Sequence, residues 1–160
     1  MKSLTNAALI YQALQEAYVL LDDGDRRVLR EIDLTPTQYS LLSQLGKNAD
    51  TGKTITELSQ RLLCTRGNAT RLVRRLEQQG LVRCTSDERD QRLVRVSLTA
   101  AGIERRRIAE ALHTESVARR FSTMQGDEQG NVRKLLQQIV QMLRADLASQ
   151  PTTVEDTEEE

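Results

Sequence analysis

The sequence predicts a mainly α-helical protein carrying one small β-hairpin. Three observations predict it. Apolar residues recur at spacings of three and four over most of the chain, the mark of helices with one buried side. Helix-start signals are frequent: Thr35 precedes Pro36, and Thr54 stands three residues before Glu57. Only between Leu81 and Leu98 does the period change, to apolar–polar alternation over Val94 to Leu98 behind the charged tip TSDERDQR.

Residues 4–32 read as one long helix. Leu4, Ala7, Tyr11, Leu14, Tyr18, Leu21 and Val28 form a narrow seam of the kind that packs on partner helices. Asp22, Asp23, Gly24 and Asp25 weaken it locally, and they lack the alternating acidic order of a calcium loop. Thr35 caps a second helix with Pro36 in its first position. Its inner face is Tyr39, Leu42 and Leu45, and Gly46 is expected just past its end. A polar loop, KNADTG, leads to the Thr54–Glu57 capping box. That box opens a short helix to about Leu63, with Ile55, Leu58 and Leu62 inward. The next helix begins near Thr65 and runs to Gln79, with Gly80 as its stop.

Leu81 to Cys84 and Leu93 to Leu98 supply the two hairpin strands. Thr99 then caps a helix to about Phe121, whose apolar residues are Ile103, Ile108, Ala111, Leu112 and Val117. Ser122 to Gln125 break it. A last helix reaches about Ala148, with Asp127 and Glu128 in the first turn, where the helix dipole favours acids. Pro151 ends it, and residues 150–160 read as a disordered acidic tail.

The net charge of zero conceals a split. Residues 150–160 hold five acids and no base, which leaves 23 bases against 18 acids elsewhere. Residues 53–98 alone carry ten bases against five acids, so the basic excess sits in one module. A basic module in a neutral frame points to a polyanion. No apolar run approaches a membrane span, no signal peptide is visible, and two cysteines fit a reducing cytoplasm. Aromatics make up only 2% of the chain, too few large rings for a thick core. That scarcity suggests apolar surface buried between two copies.

Two short helices joined by a tight turn and followed by a basic hairpin describe a winged helix-turn-helix. On the helix at 65–79, Ala69, Leu72, Val73 and Leu76 fall within about 100° of one another and must face inward. Outward lie Gly67, Arg71, Arg74 and Gln78, flanked by Asn68, Thr70 and Arg75. A DNA major groove admits one helix and asks for guanidinium donors at guanine and amides at adenine. Gly67 has no side chain to hold the helix away from a base, and Thr65 and Arg66 open the first turn, whose free N–H groups suit phosphate.

These stretches together resemble the MarR family, the multiple antibiotic resistance regulators. The resemblance is carried by LTPTQYSLLSQL, ITELSQRL, TRGNATRLVRRLEQQGLVRC and DERDQRLVRVSLTAAG, and extends over about 4–148. It implies a homodimer through the terminal helices (4–32 and 100–148) around a winged helix-turn-helix at 34–99. That dimer would bind pseudo-palindromic double-stranded DNA as a transcriptional repressor answering to a small-molecule effector. By the resemblance, Thr65, Arg66, Gly67, Asn68, Thr70, Arg71 and Arg74 meet the major groove, and Arg89 is the wing-tip arginine in the minor groove. Asp87 and Arg92 look like the ion pair that holds the wing. Lys53, Thr54, Arg75 and Arg95 are phosphate-contact candidates. Tyr11, Tyr18, Tyr39 and His113 are effector-pocket candidates, with core or seam packing as their other role. Glu88 stands where the family commonly has Pro.

Other signals fall short. Gly52-Lys53-Thr54 evokes a phosphate-binding loop, but Lys47 occupies the position that requires the first glycine. Of the two cysteines Cys64, near a helix N-terminus, is the redox candidate, with buried filler as the other role for both. One histidine makes neither a zinc site nor a triad, so neither an enzyme nor a cofactor is expected. The competing function is a winged-helix module that binds protein. It would display apolar anchors around residues 65–79.

Overall fold

The computed structural model describes residues 5–47, 52–87, 90 and 92–149. The chain divides into two compact units, Met1–Val117 and Ala118–Glu160. The acidic tail and the wing-tip Arg89 lie outside the described residues.

The first unit begins with α1, Asn6–Arg30, capped by the Thr5 hydroxyl, which accepts the Ala8 N–H. Only Leu29 of this helix is buried. The helix continues through the acidic cluster, where Asp22 and Asp23 hold Arg26 and Arg27 one turn on, at 2.7 and 2.8 Å. α2 spans Pro36–Gly46. Its cap is more complete than the sequence suggested, because Gln38 returns the bond: the Thr35 N–H donates to Gln38 Oε1 at 2.8 Å. The buried Gln38 amide also donates to Gln79 Oε1 at 3.0 Å, tying α2 to the end of α4 (Arg66–Gln78). Gly46 is the last residue of α2 rather than its stop. Arg106 lies across it, so that a Cβ there would stand 2.7 Å from Arg106 Nε.

α3, Ile55–Leu62, starts on the expected capping box. The Thr54 N–H and hydroxyl both donate to the Glu57 carboxylate, at 2.7 and 2.9 Å, and hold its pKa below the ordinary value. α4 follows after a tight turn. β2 (Val82–Ser86) and β3 (Val94–Leu98) form the hairpin, with Cys84 opposite Val96. A third strand, β1 (Lys53–Thr54), pairs with the other edge of β3, giving the antiparallel order β1-β3-β2. The core joins Leu29, Leu34, Leu41, Leu42 and Leu45 to Leu58, Val73, Leu76, Leu81, Val82, Val96 and Ala109.

α5, Ala100–Arg120, leaves the sheet through Thr99. The Thr99 N–H donates to the Leu81 carbonyl at 3.1 Å and its hydroxyl donates to the Gly80 carbonyl at 2.6 Å. The same hydroxyl accepts the Gly102 N–H at 3.0 Å. The buried residues of α5 are Gly102, Ala109 and Ser116, a stripe of small groups at seven-residue spacing. Ile103, one of the apolar residues of this helix, is half exposed. Small residues let the α5 backbone approach closely, and this closeness displaces the larger apolar groups to the flanks.

The second unit holds the end of α5 and α6, Gly126–Ser149. Glu128 accepts the Gln125 N–H at 2.9 Å, and Gln129 donates to the carbonyls of Phe121 and Met124. None of the residues of α6 is buried, and Leu135, Met142, Leu143 and Leu147 are each more than half exposed.

Candidate nucleic-acid interface

α4 is positioned by its apolar side and displayed by its polar side. Ala69, Val73 and Leu76 are buried, with Leu72 half-buried. Thr65 caps the helix by accepting the Asn68 N–H at 3.2 Å. Thr65, Arg66, Gly67, Asn68, Arg71, Arg74 and Arg75 are all exposed. Thr70 is the exception among the expected contact residues. It is half-buried, and its hydroxyl donates to the Arg66 carbonyl at 2.8 Å, which turns it along the helix. Asn68 Oδ1 accepts from the Arg71 guanidinium at 2.7 Å. An amide and a guanidinium are thereby held side by side, one turn apart, with Arg71's remaining donors free to face a groove edge. Among the described residues, Arg66, Arg74 and Arg75 have no ion-pair partner. Gly67 faces open space: apart from its own stretch of helix backbone, no described atom lies within 4 Å of where a Cβ would stand.

The wing is built around Asp87, which is only 7% exposed. Its N–H donates to the Leu93 carbonyl at 2.9 Å, and its carboxylate accepts the Asp90 N–H at 3.0 Å. Its charge partner is Arg95, not Arg92 as the family resemblance implied. Strand register explains the change. Thr85 lies opposite Arg95, and Asp87 is two residues further on, so Asp87 and Arg95 are diagonal neighbours on one face. Arg92 is in the turn before β3, exposed, and its N–H donates to Asp90 Oδ1.

A sequence profile of the MarR family matches residues 32–93. The transcriptional activatory protein BadR of Rhodopseudomonas palustris is 31% identical over 120 residues, covering 74% of this chain and 66% of BadR. Among solved structures, AbsC of Streptomyces coelicolor, a MarR-family transcriptional regulator, superposes with a TM-score of 0.80 at 24% identity, covering 91% of this chain and 99% of AbsC. A mutant MarR of E. coli complexed with operator DNA gives a TM-score of 0.75 at 23% identity, covering 81% of this chain and 92% of that one. The chain belongs to the MarR family. Its fold is the mainly α winged helix of that family's transcriptional regulators.

Three of the four phosphate-contact candidates of this MarR-family chain are buried or already paired. Lys53 is 5% exposed in β1, against Val96. Arg95 is committed to Asp87, which also raises its pKa. Thr54 is half-buried and occupied by Glu57. Arg75 alone is openly displayed. Arg61, in the last turn of α3, is an exposed cation that sequence spacing did not single out.

The pocket candidates separate into two pairs. Tyr39 and His113 come together, ring centroids 5.2 Å apart, and His113 Nε2 lies 3.5 Å from Asp25 Oδ2. Tyr11 and Tyr18 stay on the exposed side of α1, at 61% and 71% exposure. Among the described residues, no helix is long and apolar enough to cross a membrane.

The cysteines differ chemically. Burial and the nearby Glu77 push the Cys84 thiol up to about 11, and Glu77 also accepts the Cys84 N–H at 3.0 Å. At pH 8 only about one Cys84 in a thousand is a thiolate, and the thiolate is the reacting form. Maleimide labelling at pH 8, followed by mass spectrometry, is therefore expected to modify Cys64 first. Faster modification of Cys84 would contradict the Glu77 contact.

Proposed function

We propose that this MarR-family regulator binds double-stranded DNA sequence-specifically as a homodimer. One α4 enters each major groove of a pseudo-palindromic operator whose half-sites lie about 10 bp apart. The observation that carries this reading is the Asn68–Arg71 pair, displayed on an exposed face whose opposite side is locked into the core by Ala69, Val73 and Leu76. Arg66, Arg74 and Arg75 surround the pair with charge that the described residues leave unneutralised. The likeness of fold to E. coli MarR in complex with operator DNA supports it.

The dimer reading is supported by apolar surface that water does not favour. Ile10, Tyr18, Val19 and Leu20 on α1, and Leu135, Met142, Leu143 and Leu147 on α6, are each more than half exposed. In this reading residues 4–32 and 100–148 form the dimerisation region, 34–99 the reading head, and Arg89 the minor-groove contact. The protein acts in the cytoplasm as an effector-responsive repressor, and the Tyr39–His113–Asp25 cluster joining α1, α2 and α5 supplies polar groups for a small molecule. A reporter driven by the selected site tests the sign of control: transcription should rise when the protein is deleted. A fall would make it an activator, as BadR is named.

Duplex selection followed by mobility shift tests the binding mode. Arg71→Ala should change the preferred sequence. Arg75→Ala should weaken all duplexes alike and reduce the salt slope by about 0.9, the loss of one phosphate contact. Equal loss of sequence preference in both variants would overturn these two assignments.

A further inference from the structure

We propose that Leu63 is a specificity-determining residue, packing its side chain on the 5-methyl group of a thymine beside the groove that α4 enters; the proposal rests on the DNA-binding reading above. Leu63 ends α3 in the left-handed conformation, with φ 51° and ψ 46°. Its N–H donates to the Gln60 carbonyl at 3.3 Å, and the Cys64 N–H donates to the Ser59 carbonyl at 3.0 Å. A helix stop of this shape favours glycine or asparagine, because a Cβ crowds the backbone there. The fold gains nothing from the leucine in return. Its side chain is 89% exposed, more than any other large apolar residue among those described, and the half-buried position next to it belongs to Cys64.

Most other strongly exposed apolar residues lie on α1 and α6, where a partner subunit would cover them. Leu63 lies on neither. It stands two residues before Thr65, at the end of α4 that presents Arg66, Gly67 and Asn68 to solvent. Every other exposed residue at that end is polar or glycine. A major groove displays hydrogen-bonding edges and, at each thymine, one methyl group that only an apolar contact can reward. Among the described residues Leu63 supplies the single large apolar group contiguous with the polar reading face, and that continuity favours DNA over a protein partner as its occupant.

The test uses the full-length protein and a duplex that it selects from a randomised library. Each thymine of the selected site is replaced in turn by deoxyuridine, which removes only the methyl group, and affinity is followed by fluorescence anisotropy. Wild-type protein should lose about fourfold at one thymine per half-site, the worth of one buried methyl. Leu63→Gly, which removes the contact from both half-sites, should melt at the same or a higher temperature, bind the thymine duplex about 16-fold more weakly, and no longer distinguish thymine from uracil at that position. Leu63→Asn, which also tolerates the left-handed conformation, should behave in the same way. Undiminished affinity and discrimination in Leu63→Gly overturn the contact alone, as does a wild type indifferent to every replacement. If that variant instead fails only in transcription, Leu63 belongs to a protein-binding surface and the proposal is wrong. A wild type that selects no duplex overturns the DNA-binding reading and this contact with it.

Discussion

Gly102→Ala is expected to lower the melting temperature by roughly 6–12 °C, the shift that about 3 kcal/mol produces in a chain of this size. A Cβ on Gly102 would collide with the Leu81 carbonyl oxygen and stand 2.9 Å from its carbon. Both are backbone atoms. Neither can move aside without moving the start of β2 or the first turn of α5, and the Leu81 carbonyl is also the acceptor for the Thr99 N–H. Losing a glycine's conformational freedom offsets the damage by about 0.5–1 kcal/mol at most. Gly46→Ala is the control. Its added methyl group meets the Arg106 side chain instead of backbone, so the arginine can swing away and the loss should be clearly smaller. Thermal unfolding of both variants at one protomer concentration checks the order, since dimerisation makes melting concentration-dependent. Equal melting of Gly102→Ala and wild type would show that α5 does not pack on Leu81 as described.

Gly67→Leu should separate folding from function. No described residue crowds a Cβ there, and leucine is the better helix former, so stability should rise by about 0.5–1 kcal/mol. DNA affinity should fall by about a hundredfold. The new side chain would hold the N-terminal turn of α4 away from the base edges, and losing one or two bidentate contacts accounts for that loss at about 1–3 kcal/mol each. Calorimetry and anisotropy on the same preparation measure the two effects. A variant that is both more stable and fully DNA-competent would show that Gly67 does not approach the duplex.

The features legible in the sequence are those decided within a few residues. The Thr54–Glu57 box, the Thr65 cap, the stop at Gly80 and the inward face of Ala69, Val73 and Leu76 all depend on helical spacing alone. The features missed depend on partners distant in the chain. β1 has two residues and exists only because it pairs with Arg95 and Val96. That pairing buries Lys53, a phosphate-contact candidate under the family resemblance. The Asp87 partner follows from hairpin register, which the alternation of Val94 to Leu98 does not set by itself. Gly102 closes the family-like run DERDQRLVRVSLTAAG, but its reason, the carbonyl of Leu81 above it, appears only after folding. The strain at Leu63 gave no local signal, because leucine is unremarkable in an apolar helical pattern until its φ is known.

Thr99 has a mechanical consequence. One hydroxyl clamps the Gly80 turn to the first turn of α5, and the adjacent N–H grips Leu81. One residue thus ties the start of α5 to the residues that follow α4 with three hydrogen bonds. A displacement of the first turn of α5 is therefore expected to pass to the turn that ends α4 instead of being absorbed between them.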